Sequence, residues 1–258
     1  MNSRIESVDI LRGFTIALMI LVNTPGTWNS VYPPLLHATW HGLTTTDLIV
    51  PFFLFNVGIS IYCAYERSEN SKITYKKIGI RSLKLFGLGL FLNLYLPYFP
   101  FYNDFETLRF LGVLQRIGIV FFISAVLYLN FNWKTLFLIG FLILAGYWAF
   151  LGLMPFANGL SPSFDRVPNN WSNYIDFTIL GKHMWQVDYD PEGVFSTLPA
   201  IVTCIYGILI GKLLDNRNAI KYFILAAVTC LVYGYIFNIW FPLIKAIWRS
   251  SIVLVTSC

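Results

Sequence analysis

Two of the three histidines in the chain lie in one short polar segment, from His37 to Asp47, just before an apolar run. Imidazole exchanges protons near neutral pH, so His37 is a candidate general base or nucleophile, and His41 could serve instead. A histidine that only bonds a loop carbonyl is the structural alternative. Asp47 precedes Leu-Ile-Val-Pro, where a carboxylate can cap the first amides of a helix and can also orient a histidine. His183 is a further candidate.

Arg116 and Asn23 are polar residues within apolar runs. Arg116 lies about two turns inside the predicted fourth span, where an unpaired charge costs at least ~2.5 kcal/mol, so it needs a partner, a wet cavity or an anionic ligand. Both a structural ion pair and an anionic ligand such as phosphate meet that need. Asn23 stands at the outer end of the first span, where it can bond the backbone of the helix end or donate to a developing oxyanion.

Further charged groups lie near the ends of the apolar runs. Asp9 and Arg12 are three residues apart, which pairs them on one helix face, and Arg12 could also bind phosphate. Asp188, Asp190 and Glu192 precede the sixth span. Three carboxylates there suit a solvated loop, a helix start or a site for a cationic or hydroxyl-rich ligand, and the spacing does not choose among these.

The chain that positions these residues is an integral membrane protein by composition. Of its 258 residues, 57% are hydrophobic and 12% are charged, with a mean hydropathy of +0.64, so charged groups are too few to cover a soluble domain. The net charge of +5 comes mostly from basic residues between apolar runs, which indicates topology and not nucleic-acid binding. The four cysteines lack metal-ligand spacing, so we expect neither disulfides nor a metal site.

Seven apolar runs approach the ~20 residues that cross a bilayer, which predicts an all-α, polytopic bundle of transmembrane helices within a single domain, 1–258. The runs cover 9–28, 47–65, 75–96, 108–129, 134–155, 195–214 and 219–241. An eighth begins near Trp248 and is cut off at Cys258. A partial span cannot satisfy its backbone across the bilayer, so we expect the chain to be a C-terminally incomplete piece of a longer protein.

The basic residues predict the orientation of this bundle. Twelve of the 18 lysines and arginines lie on one side if the spans alternate, whereas 29–46 on the other side has none. We therefore expect a cytoplasmic N-terminus, with the His37 segment and the long loop 156–194 outside. This outer loop is aromatic and shows no evident helix of its own, so we expect it to form a lid or wall over the outer face.

Six stretches together resemble the membrane acyltransferases related to heparan-α-glucosaminide N-acetyltransferase, including their bacterial relatives. They occur in the order of that family and cover nearly the whole chain. They are Ser-Val-Asp-Ile-Leu-Arg-Gly (7–13), Val22-Asn23, the His37 segment with the Pro-Phe-Phe-Leu-Phe that follows it, Gly-Val-Leu-Gln-Arg-Ile-Gly (112–118), Tyr189-Asp-Pro-Glu-Gly193 and Lys245-Ala-Ile-Trp-Arg-Ser-Ser251.

The resemblance implies transfer of an acetyl group from acetyl-CoA, as co-substrate, to the amine of a terminal glucosamine or similar sugar. The family's active-site histidine falls on His37, which would act as base or as acetyl carrier, and its nearby asparagine falls on Asn23. With the residue chemistry above, the catalytic candidates are His37, Asn23 and Asp47. The candidates for binding substrate or cofactor are Arg116, Arg12, Glu192, Asp190 and Lys245.

Several alternatives stay open at this point. The Asp-x-x-Arg-Gly element is also similar to that of the wider membrane O-acyltransferases of envelope glycans, so the acceptor atom is nitrogen or oxygen. The family often has asparagine at the positions of His41 and Ile244. A small-molecule transporter would also have several spans and an intramembrane arginine, although no pair of similar halves is visible. The expected partners are acetyl-CoA, a sugar or glycan acceptor and the lipid bilayer of a bacterial cytoplasmic membrane, and a homodimer is left open.

Overall fold

The computed structural model describes residues 6–66, 72–96, 99, 101–156, 159–214, 219–240, 247–248 and 250–256, and over these ranges the protein is all-α. Its α-helices are α1 (Glu6–Asn23), α2 (Thr45–Tyr65), α3 (Lys72–Leu94), α4 (Val113–Asn130), α5 (Trp133–Leu153), α6 (Trp171–Leu180), α7 (Thr197–Leu213), α8 (Ala219–Trp240) and α9 (Ser250–Thr256). Short 3-10 helices cover Trp28–Ser30, Pro33–Leu35 and Gly181–His183.

Three of these helices, α2, α4 and α5, are long and apolar enough to cross a membrane. They confirm an all-α chain with membrane helices, whereas seven complete spans stay a prediction. Helix α7, with 17 residues, and the Ala219–Cys230 part of α8 are shorter apolar helices. Helices α1 and α3 have the length of a span, but charged residues in the first half of each reduce their apolar character.

The helices differ from the predictions in two ways near the site. Helix α4 begins at Val113, because Gly112 is extended at the N-cap, so Arg116 lies in the first turn and not two turns inside a span. The outer loop contains a helix that the sequence analysis did not find, α6. Asn170 caps this helix by accepting hydrogen bonds from the amides of Ser172 and Asn173. A ten-residue helix that depends on such a cap has too little apolar periodicity to be recognised in advance.

Helices α2 and α7 form the centre of the bundle, where glycines let the two backbones meet. A β-carbon added to Gly58 would lie 2.0 Å from the Cys204 carbonyl oxygen, and one added to Gly207 would lie 2.1 Å from the Phe55 carbonyl oxygen. Small residues at such contacts allow membrane helices to approach closely. The packing on α7 therefore fixes α2, whose first turn carries Asp47.

The helix ends sort into two groups. At one end, which we call the basic end, Arg12 of α1 bonds Ser60 of α2, and Tyr75 of α3 donates to Asn130 of α4 at 3.1 Å. The opposite end, which we call the outer end, holds the His37 segment, the start of α4 and the outer loop. Arg12 and Tyr75 thus lie at the end of the bundle opposite the His37 segment. The compartment that each end faces stays a prediction.

Candidate active site

Helix α2 begins with a capping box that also holds His37. Asp47 is the third residue of the helix, and its Oδ2 accepts from the Thr44 amide at 3.1 Å, the Thr44 hydroxyl at 2.9 Å and the Ala38 amide at 3.1 Å. Its Oδ1 lies 2.7 Å from His37 Nδ1. The Asp47 side chain is 1% exposed and the His37 side chain 50%. Asp47 therefore both caps α2 and orients His37, two roles that the sequence had left compatible.

This pairing determines which ring nitrogen of His37 can act on a substrate. An ionised carboxylate only accepts hydrogen bonds, so the Nδ1 that faces Asp47 carries the proton, and Nε2 is the basic nitrogen of the neutral ring. Its lone pair can remove a proton or attack a thioester carbonyl. A buried carboxylate also stabilises the imidazolium that forms when Nε2 takes a proton. The pair has the geometry for general-base or nucleophilic chemistry.

The outer loop is fastened directly to the segment that carries His37. Trp40 donates through Nε1 to the Phe164 carbonyl at 3.0 Å, and His41 Nε2 lies 2.7 Å from Asp165 Oδ1. Trp40 is buried, whereas His41 and Asp165 are exposed. These contacts join the outer loop to the residues three and four positions beyond His37.

Arg109, which the sequence analysis missed, binds two of the acids proposed for ligand binding. Its Nη2 lies 2.5 Å from Asp190 Oδ1 and 2.6 Å from Glu192 Oε2, and both acids are buried. Burial disfavours the charged guanidinium, but the two carboxylates outweigh this effect and raise the pKa of Arg109. Asp190 also accepts from the amides of Trp185 and Glu192 at 2.9 Å. Both acids therefore have internal partners that shape the turn before α7.

Arg116 is enclosed in the first turn of α4, with 1% of its surface exposed. Its Nη2 donates to the Gly193 carbonyl at 3.2 Å and to the Ser196 hydroxyl, and its guanidinium carbon lies 4.9 Å from the Trp248 ring centroid. These contacts join α4 to the start of α7 and to the segment before α9. The bonds from Nη2 tie these elements together, whereas Nε and Nη1 are buried with no hydrogen-bond partner among the described residues, so the fold satisfies this guanidinium only in part.

Asp176 of α6 is a second group that the sequence analysis did not single out. Its Oδ1 accepts from the Phe195 amide at 3.1 Å, and a β-carbon on Gly193 would lie 1.8 Å from its Oδ2. Only glycine at 193 allows this contact, which gives a steric reason for the last residue of Asp-Pro-Glu-Gly. Burial raises the pKa of Asp176 to about 6, against the opposing effects of the Phe195 amide and the Arg116 charge. Asp176 thus anchors the start of α7.

A cavity of about 530 Å³ lies between α1, α2, α3 and α4. Its wall follows α2 from Phe53 to Tyr65, a stretch of ~18 Å at the helical rise. Arg12, whose Nη1 lies 3.6 Å from Asp9 Oδ1, is in this wall with three basic residues of α3. Those three are Lys77, Arg81 and Lys84. The remaining wall is mostly apolar, so the cavity has a cationic part at the basic end and an apolar part that continues towards the outer end.

Three predicted residues lie apart from this chemistry or outside the described ranges. Asn23 is exposed and donates to the Met19 carbonyl at 2.9 Å, the helix-end role that the sequence had left open. His183 Nδ1 lies 2.8 Å from the Leu108 carbonyl oxygen and joins the outer loop to the segment before α4. Lys245 lies outside the described residues.

Comparisons with known proteins confirm the resemblance. The family model described as heparan-alpha-glucosaminide N-acetyltransferase, catalytic, matches residues 4–232. The heparan-alpha-glucosaminide N-acetyltransferase of Homo sapiens is 31% identical over an alignment of 262 residues, and the alignment covers 82% of this chain and 38% of the human protein. The Mus musculus protein of the same name is 28% identical over an alignment of 323 residues, which covers 99% of this chain and 47% of the mouse protein. The chain spans less than half the length of these relatives. By the extent of the family match, which includes the His37–Asp47 pair, the chain belongs to the heparan-alpha-glucosaminide N-acetyltransferase catalytic family.

Proposed function

We propose that this chain carries the catalytic site of a membrane acetyltransferase that moves an acetyl group from acetyl-CoA to the amine of a terminal glucosamine or similar sugar. Family membership supports acyl transfer, and the name of the two relatives supports an amino-sugar acceptor. The observation that carries the proposal is the His37–Asp47 pair, 2.7 Å apart, with His37 half exposed before α2. Because the chain spans less than half of its relatives, we expect the full-length protein to be required for activity.

His37 Nε2 can serve the reaction by two routes. In direct transfer, Nε2 takes a proton from the amine as the amine attacks the thioester, and then protonates the CoA thiolate that leaves. In the carrier route, Nε2 attacks the thioester and CoA leaves as thiolate. The neutral amine then attacks the acetyl-imidazolium, the bond between Nε2 and the acetyl group breaks, and the proton lost by the amine balances the one that the CoA thiolate takes up. Asp47 stabilises the positive ring in both routes, because its carboxylate is bonded to Nδ1.

The cavity between α1 and α4 supports a position for the donor. CoA has phosphates at one end and the thioester at the other, joined by a long and largely uncharged arm. Arg12 and the three basic residues of α3 match the phosphates, and the apolar wall matches the arm. Phe53, at the far end of the α2 wall, is six residues or ~9 Å beyond Asp47 along the helix. A donor in this position would point its acetyl group towards His37, so we assign Arg12 to the donor and Arg116 to the fold.

The acceptor would approach at the outer end, where the outer loop flanks His37. This arrangement fits a cytoplasmic basic end, from which acetyl-CoA is supplied, and an extracytoplasmic His37 segment. In a bacterial cell the membrane concerned would be the cytoplasmic membrane. Asn23, at the outer end of α1, keeps one N–H beyond the one that it donates to Met19, and that N–H is our candidate donor to the oxyanion.

Acetyl transfer by the purified full-length protein tests the role of His37. We expect His37→Ala to lower turnover by ~10²–10⁴-fold, with acetyl-CoA affinity little changed, because a general base or nucleophile is lost. An acetyl-enzyme that forms with donor alone and is absent from His37→Ala would select the carrier route. His183→Ala is the matched control, since it removes an outer-loop imidazole that bonds Leu108, and it should retain turnover. Near-normal turnover of His37→Ala would contradict the proposal.

The donor site has its own test. Lys84→Ala and Arg81→Ala should each raise the KM for acetyl-CoA about tenfold with little change in kcat, since each loses a charge-assisted contact to phosphate. Lys134→Ala is the control, because Lys134 is a basic residue that lies over the Trp133 ring and does not line the cavity. Equal KM values for all three variants would show that the donor does not bind in this cavity.

A further inference from the structure

We propose that His41, paired with Asp165, is a second acid–base group of this site and takes one of the two protons that an amine acceptor must release. The inference rests on the proposed function, because it concerns the acceptor of that reaction. The observation behind it is a second imidazole–carboxylate pair, with His41 Nε2 2.7 Å from Asp165 Oδ1, four residues beyond His37.

The proton balance of the reaction calls for such a group. An alkyl amine is mostly protonated at neutral pH, and acetylation converts the ammonium and the thioester into an amide, the CoA thiol and one released proton. Two N–H bonds therefore break, and one proton goes to the CoA thiolate while the other leaves to solvent. His37 can hold only one of them on Nε2, because Nδ1 keeps its proton against Asp47.

In the carrier route, a second base beside His37 is required. When the acceptor arrives, Nε2 of His37 is bonded to the acetyl group and cannot accept a proton from the ammonium. A different base must take that proton before the nitrogen can attack. In the direct route, the same base supplies the neutral amine while His37 handles the proton that ends on CoA.

His41 has the position and the exposure for this step. Asp165 accepts at Nε2, so the neutral ring carries its proton there and has a basic Nδ1. The side chains of His41 and Asp165 are 51% and 61% exposed, so a proton taken at Nδ1 can pass on to solvent. The bond from Trp40 to Phe164 fixes this segment against the outer loop. Four residues span at most ~14 Å, which sets the upper limit on the separation of His41 from His37.

The charged groups near His41 come from both segments. Asp165 contacts the ring directly. Arg166, the next residue, donates two hydrogen bonds to the carboxylate of Asp188 within the outer loop, so its charge has its own partner. The other segment carries the pair between His37 and Asp47. His41 is therefore the exposed imidazole that lies between the outer loop and the transfer site.

The test is a pH profile of acetyl transfer to glucosamine by the full-length protein. His41→Asn should lower kcat/KM at least about tenfold at pH 7, where a free imidazole is mostly neutral and the acceptor must still lose a proton, and less than about twofold at pH 9, where neutral amine is abundant. Added imidazole should restore most of the loss at pH 7, because the pair is exposed. Asp165→Asn should show the same pH dependence to a smaller degree.

His183→Asn is the matched control, since this outer-loop histidine bonds the Leu108 carbonyl and stacks on Phe110 at 3.9 Å, and its profile should parallel the wild type. A His41→Asn loss that is equal at both pH values and unaffected by imidazole would show a structural role and overturn the inference, as would no loss at all. A wild-type protein that acetylates no amine would instead overturn the proposed function.

Discussion

Replacing Asp47 by asparagine separates the two roles of this residue. Three donors from Thr44 and Ala38 converge on Oδ2, so an amide would turn its oxygen to them and keep the cap of α2. Its NH₂ group would then face Nδ1 of His37, which has to give up its proton to accept the bond. The proton moves to Nε2, and the nitrogen that should act as base or nucleophile is blocked. We expect turnover to fall by ~10⁴-fold, as for the wrong tautomer in a Ser-His-Asp triad.

Alanine at the same position should act mainly on stability. Asp47 is buried, and alanine removes the bonds from Thr44, Ala38 and His37 together with the helix cap. Hydrogen bonds to a charged acceptor contribute about 1.5–3 kcal/mol each, and a lost cap costs about 1 kcal/mol. Water can replace part of the lost hydrogen bonding, because Thr44 and Ala38 are only partly buried. We expect the unfolding free energy to fall by about 3–5 kcal/mol in Asp47→Ala and by about 1 kcal/mol in Asp47→Asn.

The two variants are compared by acetyl-CoA consumption and by thermal unfolding of the purified full-length protein. Asp165→Asn is the stability control, because it alters an exposed acid that is also bonded to a histidine. If Asp47→Asn keeps more than about a tenth of wild-type turnover, Asp47 does not set the tautomer of His37. If Asp47→Ala unfolds at the wild-type temperature, the carboxylate does not stabilise the start of α2.

Four other predictions concern the fold and its orientation. Gly193→Ala should cost at least about 2 kcal/mol of unfolding free energy, because its β-carbon would lie 1.8 Å from Asp176, and Asp176→Ala in the same chain should recover part of the loss. Because the folded carboxyl of Asp176 has a pKa of about 6, above its unfolded value of about 3.9, it contributes stability that is present near pH 4 and lost as pH rises through 6. Wild-type minus Asp176→Asn stability should therefore fall by up to about 3 kcal/mol between pH 4 and 7, and a flat difference would refute the assignment. Gly58→Leu should abolish folding where Gly79→Leu is tolerated, since a β-carbon at 79 meets no atom within 4 Å. Ser30→Cys, in a background without native cysteines, should react with an impermeant reagent from outside the cell, and labelling from the cytoplasmic side alone would reverse the topology.

The His37–Asp47 pair could be predicted from the sequence because its chemistry is local. The two residues are ten apart, and the cap that places Asp47 at the third position of α2 is itself a short-range pattern. Apolar length likewise located α2 and α5 to within about two residues. In both cases the structure follows from neighbours along the chain.

The interactions that the sequence did not reveal join distant parts of the chain. Arg109 and Asp190 are 81 residues apart, and a spacing pattern cannot pair them. Asp176 was overlooked because its importance depends on a glycine 17 positions later that makes room for its carboxylate. Three basic residues of α3 were interpreted as topology markers, and only the packing of α1 to α4 shows that Lys84 shares a cavity with Arg12.

Exposure divides the charged residues into two groups, and this division argues for different roles. Arg116, Asp190 and Glu192 are all buried, where each charge depends on its hydrogen-bond partners. Asp190 and Glu192 are paired with Arg109, and a buried, paired charge that turned to a substrate would leave its partner uncompensated, at a cost of several kcal/mol, so these two acids are poorly suited to bind and release a ligand at each turnover. Arg116 differs from them, because its bonds go to a carbonyl and a hydroxyl and its Nε and Nη1 have no hydrogen-bond partner among the described residues. Arg12 and Lys84 are partly or fully exposed beside a cavity and can exchange water for phosphate at much lower cost. The Leu-Gln-Arg and Asp-Pro-Glu-Gly motifs therefore hold the start of α7 against α4, and the contacts to the donor should be sought on α1 and α3.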